Sequence, residues 1–393
     1  MAPGGKEGKR PQVRRERKGS VVGLFSGIGG LERGFELEGF ETIATAEIDG
    51  ACLSVLSRRM PGVPNLGDIT LLDSLPKSDV VVAGFPCQPY SQAGRRDGLE
   101  RGGTPLRHLL RLIEHSRPSI VVLENVAFIL HLYGGEAITR LTNRLAKSGY
   151  SWALRVVDSR AFGLPQRRQR LIVVASREFD ASRTLLGHVP GIAAQIDGVS
   201  AKGFYWTEGS SGIGWADNAV PPLKGGSTLG IPCSPAIWDV RRGTIVTPDV
   251  RDAERLQGFP VNWTLVPGQN RAQERARWRL IGNAVSVPVA RWVASRIARP
   301  SSEPPERTAI IHSDDAWPRA AFGWSRRRYE ASPEPMILHH DPILDFLRYD
   351  VALLSHAATR GFRRRYEQSS LRKDEKFLRT LRAHEQRMRT ETA

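Results

Sequence analysis

Six short runs rich in apolar and β-branched residues punctuate the first half of the chain: SVVGLF (20–25), TIATAE (42–47), DVVVAG (79–84), SIVVLE (119–124), WALRVVD (152–158) and RLIVVA (170–175). Between them, LERGFELEGF (31–40) and the region from Thr104 to His115 space their apolar residues as an amphipathic helix does. Alternation of this kind predicts an α/β fold with a doubly wound, mostly parallel sheet. Several runs are apolar at consecutive positions, as strands covered on both faces should be.

The pattern changes at residue 177. Residues 177–240 are rich in Gly, Pro and Ser, carry Trp206, Trp215 and Trp238, and show little periodicity; they predict a small, irregular second domain. Regularity returns at TPDVRDAERLQGFP (247–260), where Thr247 or Asp249 caps a helix running to Leu256, and a further helix is expected from Val287 to Ala298. Pro and Ser from Arg299 onward mark a linker. The remainder is Arg-rich and mostly helical in pattern, with Phe377, Leu378 and Leu381 forming one apolar stripe. No internal repeat is present.

Charge narrows the class of partner. The 393 residues carry a formal net charge of +16, with a pI near 10.4. Such an excess points to a polyanion, nucleic acid before membrane, although an Arg-rich surface without such a partner would give the same number. Cys52, Cys87 and Cys233 are the three cysteines and form no CxxC pair, so neither a zinc site nor a disulfide framework is indicated and no metal is expected. A reducing cytosol or nucleoid is the default compartment. No apolar run is long enough to span a membrane. Residues 1–19 lack the apolar core of a signal peptide and read as a disordered basic arm, either touching phosphates or simply solvated.

The chemistry concentrates around Cys87 in GFPCQPYSQAG (84–94). A cysteine between two prolines, just after a buried-strand pattern, is held on a stiff turn, because each proline fixes its own φ and restricts the residue before it. Glu124 ends the strand pattern VVLENV, and Gln166, Arg168 and Arg170 alternate along FGLPQRRQR, so an extended backbone puts them on one face. These are the parts needed to add a thiolate to a pyrimidine. Addition at carbon 6 turns carbon 5 into a nucleophile able to accept a methyl group; a proton-sharing carboxyl steadies ring nitrogen 3, and the base must leave its stack. Cys87 is the expected nucleophile, supported by Gln88, with Glu124, Arg168 and Arg170 as partners. Cys52 reads as a core residue.

At the other end of the sheet, FSGIGG (25–30) follows the first strand and opens a helix, as backbone approaching a ligand does. Glu47 lies twenty residues after Gly27, at the end of the second strand, where doubly wound folds place an acid on a ribose. Taken alone, this piece also suits a nicotinamide dehydrogenase, which leaves Cys87 unexplained. Asp68 in LGDI is either a turn aspartate or an acceptor for an adenine amino group.

In order and spacing these strings closely resemble the DNA (cytosine-5)-methyltransferases of bacterial modification type, over roughly residues 20–298. LFSGIGG resembles the family's cofactor glycine motif, AEID its ribose- and adenine-contacting motif, GDI the next cofactor motif, GFPCQPYS its nucleophile loop, LENV its base-contacting glutamate and FGLPQRRQR its glutamine–arginine motif. ERLQGFP (254–260) and IGNAVSVPVA (281–290) resemble the last two. The resemblance implies S-adenosylmethionine as methyl donor, held by Phe25, Ser26, Gly27, Gly29, Gly30, Glu47, Ile48, Asp68, Ile69, Pro86, Asn283 and Val285. It implies a flipped-out cytosine of a specific site in double-stranded DNA as substrate. It also divides the chain into a catalytic, cofactor-binding domain built from 20–176 and 246–298, a target-recognition domain over 177–245, and a basic, mostly helical C-terminal extension over 299–393. Gln166, Arg167, Trp206, Trp215 and Lys224 are the candidates for contacting DNA, with binding that weakens steeply with salt. A monomer, with a restriction endonuclease as functional companion, is the simplest expectation. Two rivals remain: an RNA cytosine methyltransferase of the same fold, disfavoured by Cys233-Ser234-Pro235 where tRNA-acting relatives carry Cys-Phe-Thr, and an inert DNA-binding regulator.

Overall fold

Strand–helix alternation produces a sheet of nine strands, and the C-terminal residues help to finish it. The computed structural model describes residues 18–86, 105–187, 198–210, 212–226, 234–268, 271–312, 315–325, 327–332 and 337–391. In chain order, β1 (Ser20–Leu24), α1 (Gly30–Leu37), β2 (Glu41–Ala46), α2 (Gly50–Arg59), β3 (Val80–Gly84), α3 (Pro105–Ser116), β4 (Ile120–Val126), α4 (Glu136–Lys147), β5 (Ser151–Asp158) and β6 (Gln169–Ser176) form the first half. After α5 (Ser182–Leu185) come β7 (Ala201–Phe204), β8 (Ala216–Asp217), β9 (Ala236–Asp239) and β10 (Thr244–Thr247). The helices α6 (Val250–Leu256), α7 (Arg271–Asn283) and α8 (Val287–Ala298) follow. The chain ends with β11 (Arg307–Ile310), β12 (Ala320–Trp324), β13 (Arg327–Ala331), α9 (Ile343–Phe346), β14 (Ala352–Leu353), α10 (His356–Gln368) and α11 (Glu375–Glu391).

The large sheet has the order β11-β13-β12-β5-β6-β4-β3-β1-β2. Its β2-β1-β3-β4 portion is parallel, as expected. From β4 onward every pairing is antiparallel. For β6 the reason is local: residues 159–168, between β5 and β6, contain a single short helical turn, and a parallel return needs a longer crossover. Alternate residues of each buried strand serve opposite faces. Val22, Val81, Ala83, Val121 and Leu123 pack with α3 and α4. Val21, Val80, Val82 and Val122 pack with α1 and α8. Asp49 caps α2 by accepting from the amides of Ala51 and Cys52, each at 3.0 Å. Of the two candidate caps for α6, Asp249 does the work, accepting from the Arg251 amide at 2.7 Å.

The second sheet is antiparallel, in the order β14-β10-β9-β7-β8. One face packs on α6, α7 and α9 through Ala201, Val220, Ile237, Val246, Leu256, Ile281 and Ile343. The other is covered by α10 and α11, whose Phe362, Tyr366, Phe377, Leu378 and Leu381 meet Phe204, Trp238 and Ile245. Residues 299–393 therefore depart from the expected helical extension. They add three strands beside β5, one strand beside β10, and only then the two helices. The strands escape a pattern reading because they are only two to five residues long, and β11 and β13 mix arginine with apolar residues.

Phe377 is fully buried, with ring centroids 4.7 Å from Trp215, 5.0 Å from Trp238 and 5.1 Å from Phe204. Phe377→Ala should cost about 3–5 kcal/mol, confined to this lobe. Hydrogen exchange should show faster exchange of β7 and β9 amides while β1, β3 and β4 stay protected.

Candidate active site

Glu124 stands at the carboxyl end of β4, opposite Gly84 at the end of the parallel neighbour β3. Its side chain is 9% exposed and forms an ion pair with Arg170 (Nε to Oε1, 3.0 Å) reaching across from β6. The next residue, Asn125, was missed by the sequence reading. It is buried, donates from Nδ2 to the Phe85 carbonyl at 2.9 Å, and accepts from the Val126 amide at 2.8 Å. It thereby ties the chain leaving β3 to the glutamate strand. Phe85 is buried and Pro86 exposed. Cys87 and Gln88 lie outside the described residues, as does Cys233. Cys52 is buried, and burial pushes its thiol pKa far up, in keeping with its core reading.

The FGLPQRRQR segment does alternate, with a different outcome from the one expected. Gln166 and Arg168 turn inward, while Arg167 is exposed. Gln166 is fully buried: Oε1 accepts from the Leu223 amide at 2.9 Å and Nε2 donates to the Leu256 carbonyl at 2.8 Å. It has no side-chain atom free to read DNA. Arg168 is 2% exposed and donates to the carbonyls of Leu223 and Gly282, each at 3.2 Å, and of Ala284 at 2.8 Å. Burial, then the neighbouring Arg170, pushes its pKa down, and the three carbonyls offset that by receiving the guanidinium. Arg168 is thus a staple between lobes rather than a group on the base. Gln257, from ERLQGFP, extends the same network: Nε2 donates to Ile281 O at 3.0 Å and Oε1 accepts from Ser286 Oγ at 2.8 Å.

At the donor end, Glu47 binds three backbone amides. Oε2 accepts from Gly27 at 2.7 Å, and Oε1 from Ile48 and Asp49 at 2.8 Å each. The glycine loop is bent by Phe25 and Gly27, with φ of 54° and 55°; a Cβ on Gly27 would meet nothing within 4 Å. Gly30 is approached by Val285, whose carbonyl would lie 2.4 Å from a Cβ there, so the closing segment packs directly on the loop. Trp263, also missed, donates from Nε1 to the Ile28 carbonyl at 2.8 Å. Ile48 is 70% exposed beside the loop. Ser26 is buried and Gly29 precedes α1 at φ 84°. Asp68 accepts from the Thr70 amide at 2.8 Å, the turn role, which holds its carboxyl below the usual range. The Ile69 side chain is buried in the sheet core. Asn283 is exposed, next to Gly225.

Two of the DNA-reading candidates are half-buried and pack against the aromatic cluster of this lobe. Trp215 packs on Phe377 and Trp238, and Trp206 donates to the Ser234 carbonyl at 2.9 Å against the same cluster. Isolated tryptophans in an irregular stretch carried no signal of the aromatic core supplied by α10 and α11. Lys224 pairs with Glu208, its ammonium 3.8 Å from the Tyr205 ring centroid.

Comparison with known proteins agrees with this geometry. The family model described as C-5 cytosine-specific DNA methylase matches residues 19–193 and 247–299. The chain belongs to that family. Type II methyltransferase M2.BsuMI of Bacillus subtilis is 40% identical over 357 residues, covering 87% of this chain and 92% of that protein. M.DsaV of Dactylococcopsis salina is 27% identical over 311 residues, 70% of this chain and 85% of that protein. The crystal structure of the S. pombe Dnmt2 methyltransferase gives a TM-score of 0.51 at 15% identity, over 71% of this chain and 97% of that one, a likeness of fold alone. This DNA cytosine-5 methyltransferase uses a methyl donor and acts on DNA. The stretch between the two family segments contains β7–β10, the bulk of the second sheet. Among the described residues no helix is long and apolar enough to cross a membrane.

Arg168→Ala should leave buried carbonyls of the methylase unpaired and destabilise it by about 3 kcal/mol. Arg168→Lys should recover only part of this, since one ammonium cannot reproduce the fork. Thermal and urea unfolding of the three proteins check it.

Proposed function

We propose that the methylase transfers a methyl group from S-adenosylmethionine to carbon 5 of a cytosine extruded from double-stranded DNA, through a transient bond to Cys87. The feature that supports this most is the pairing of Gly84 with Glu124 at adjacent parallel strand ends, with Asn125 tying Phe85 to the glutamate strand. Cys87 follows Gly84 by three residues, a stretch of chain no longer than about 10 Å. Nucleophile and carboxyl therefore serve one base.

The donor-side residues suit such a ligand. The Gly27 Cα faces open space, Ile48 offers an exposed apolar surface for an adenine, and Glu47 sits beneath the loop. A carboxylate has about four acceptor sites; three amides use three, leaving one for a ribose hydroxyl. When bound, S-adenosylmethionine supplies an electrophilic methyl on a sulfonium. The protein does the rest. The Cys87 thiolate bonds to carbon 6, and Glu124, steadied by Arg170, holds the proton at ring nitrogen 3. Carbon 5 then takes the methyl with the electron pair that the addition placed there. Loss of the carbon 5 proton to water expels the thiolate and restores the aromatic ring.

Sequence readout is assigned to the second sheet with α10 and α11, a larger unit than 177–245. The Lys224 backbone packs on Gly282, and its neighbour Gly225 packs on Asn283. The enzyme acts as a monomer in the bacterial cytoplasm, where it protects sites against a companion restriction endonuclease, as befits a relative of type II methyltransferases.

Cys87→Ser should lower turnover by more than about a thousandfold while leaving donor affinity intact; wild-type turnover in a tritiated-methyl assay on duplex DNA would remove Cys87 from the mechanism. Glu47→Ala should release the glycine loop and weaken the donor about tenfold or more, by one or more hydrogen bonds, with a smaller effect on DNA. Titration calorimetry for the donor and fluorescence anisotropy for DNA separate the two. Methylation confined to tRNA in the same assay would replace DNA with RNA as substrate.

A further inference from the structure

Glu32, on the first turn of α1, is 1% exposed, and neither of its carboxylate oxygens has a hydrogen-bond partner among the described residues. Its carboxyl fills space left by a glycine in the middle of β1: a Cβ on Gly23 would fall 1.9 Å from Glu32 Oε1 and 2.9 Å from Ser26 Oγ. Ser26 Oγ is also buried and without a hydrogen-bond partner. An acid this dry, directly behind the glycine loop, is a costly group with no structural duty on the page. Helix propensity does not require it, and the apolar face of α1 is supplied by Leu31 and Phe35.

The charges that bear on Glu32 are negative: Glu36 from its own helix and Glu47 from the end of β2. The nearby arginines are committed elsewhere. Arg33 faces Glu36 at 3.5 Å, and Arg291 of α8 donates to Glu38 at 2.8 Å. On the β1 side the carboxyl meets Gly23, and the nearby Ser26 hydroxyl and its own backbone amide favour the ionised form less than burial opposes it.

We propose that Glu32 is a positioning residue that senses the charge in the methyl-donor pocket: it is protonated in the free enzyme, releases that proton to solvent when the cationic donor binds, and takes one back once the neutral thioether product remains. Burial, the largest influence, together with the two acids, pushes its pKa up to about 7, so the exchange falls in the physiological range. The proposal deepens the donor reading above and rests on it. The enzyme would favour donor over product by an amount that grows with pH, because proton release makes affinity rise as protons become scarce. A sulfonium that lowers the Glu32 pKa by one unit makes donor affinity rise about fivefold between pH 6 and pH 8.

The test is titration calorimetry of the full chain with S-adenosylmethionine and, separately, S-adenosylhomocysteine, in phosphate and imidazole buffers from pH 6 to pH 8. The two ligands carry the same amino and carboxylate groups, so their own titration cancels in the comparison. The expected result is a net proton release near pH 6.5 that is larger for the donor than for the product, and a donor-to-product affinity ratio that rises about fivefold over the range. Glu32→Gln, isosteric with the protonated acid, should abolish both differences. Equal proton release for the two ligands in the wild-type enzyme overturns the proposal without any variant, and so does a difference that persists in Glu32→Gln. Binding of neither ligand would instead defeat the donor reading itself.

Discussion

The molecule depends on a strip of buried polar side chains that holds three distant segments of chain together. Gln166 and Arg168 lead into β6, and their partners are backbone groups of residues 223, 256, 282 and 284. Each bond joins the large sheet to the second sheet or to the segment that returns beneath the glycine loop. Buried backbone carbonyls must be paired, and here one guanidinium pairs three of them. A planar, multiply donating group is the side chain able to do this. The motif that looks like a catalytic triad of polar residues is in this protein largely a joint, and Arg170 is its only member paired with the Glu124 carboxylate.

What the sequence revealed and what it concealed follow from the range of the interactions. The parallel strands were legible because burial on both faces writes itself into consecutive positions, as in Val80, Val81 and Val82. Glu47 and Glu124 stand out in the sequence because each follows an apolar run near a strand end, where a carboxylate has no packing reason to be. The packing of Trp206 and Trp215 was hidden because their partners, Phe362 and Phe377, come more than a hundred residues later. The fate of Gln166 was hidden for the same reason: only the fold shows that Leu223 and Leu256 surround it. Glu32 carries no signal in the sequence, because only the fold brings it against Gly23 of β1.

The helices α10 and α11 illustrate how charge misleads. Their arginines suggest a solvated surface, and the outward side of each helix is one. Yet Arg365 donates to the carbonyls of Trp206 and Glu208 at 2.8 and 3.0 Å, tying α10 to the loop that carries the Lys224 partner. Net charge is a statement about partners, whereas individual arginines are often fasteners.

The antiparallel edge made by β12 has a consequence for synthesis on the ribosome. Trp152, Leu154 and Val156 of β5 are buried in the finished protein, and β12 supplies hydrogen bonds along that edge. It emerges some 160 residues later, which at about 5–20 residues per second is on the order of ten to thirty seconds. Throughout that interval the nascent chain presents an apolar, unpaired strand, the kind of edge that invites the wrong neighbour. Chaperone capture during translation therefore has a defined window, opening when β5 leaves the exit tunnel and closing when residue 324 does.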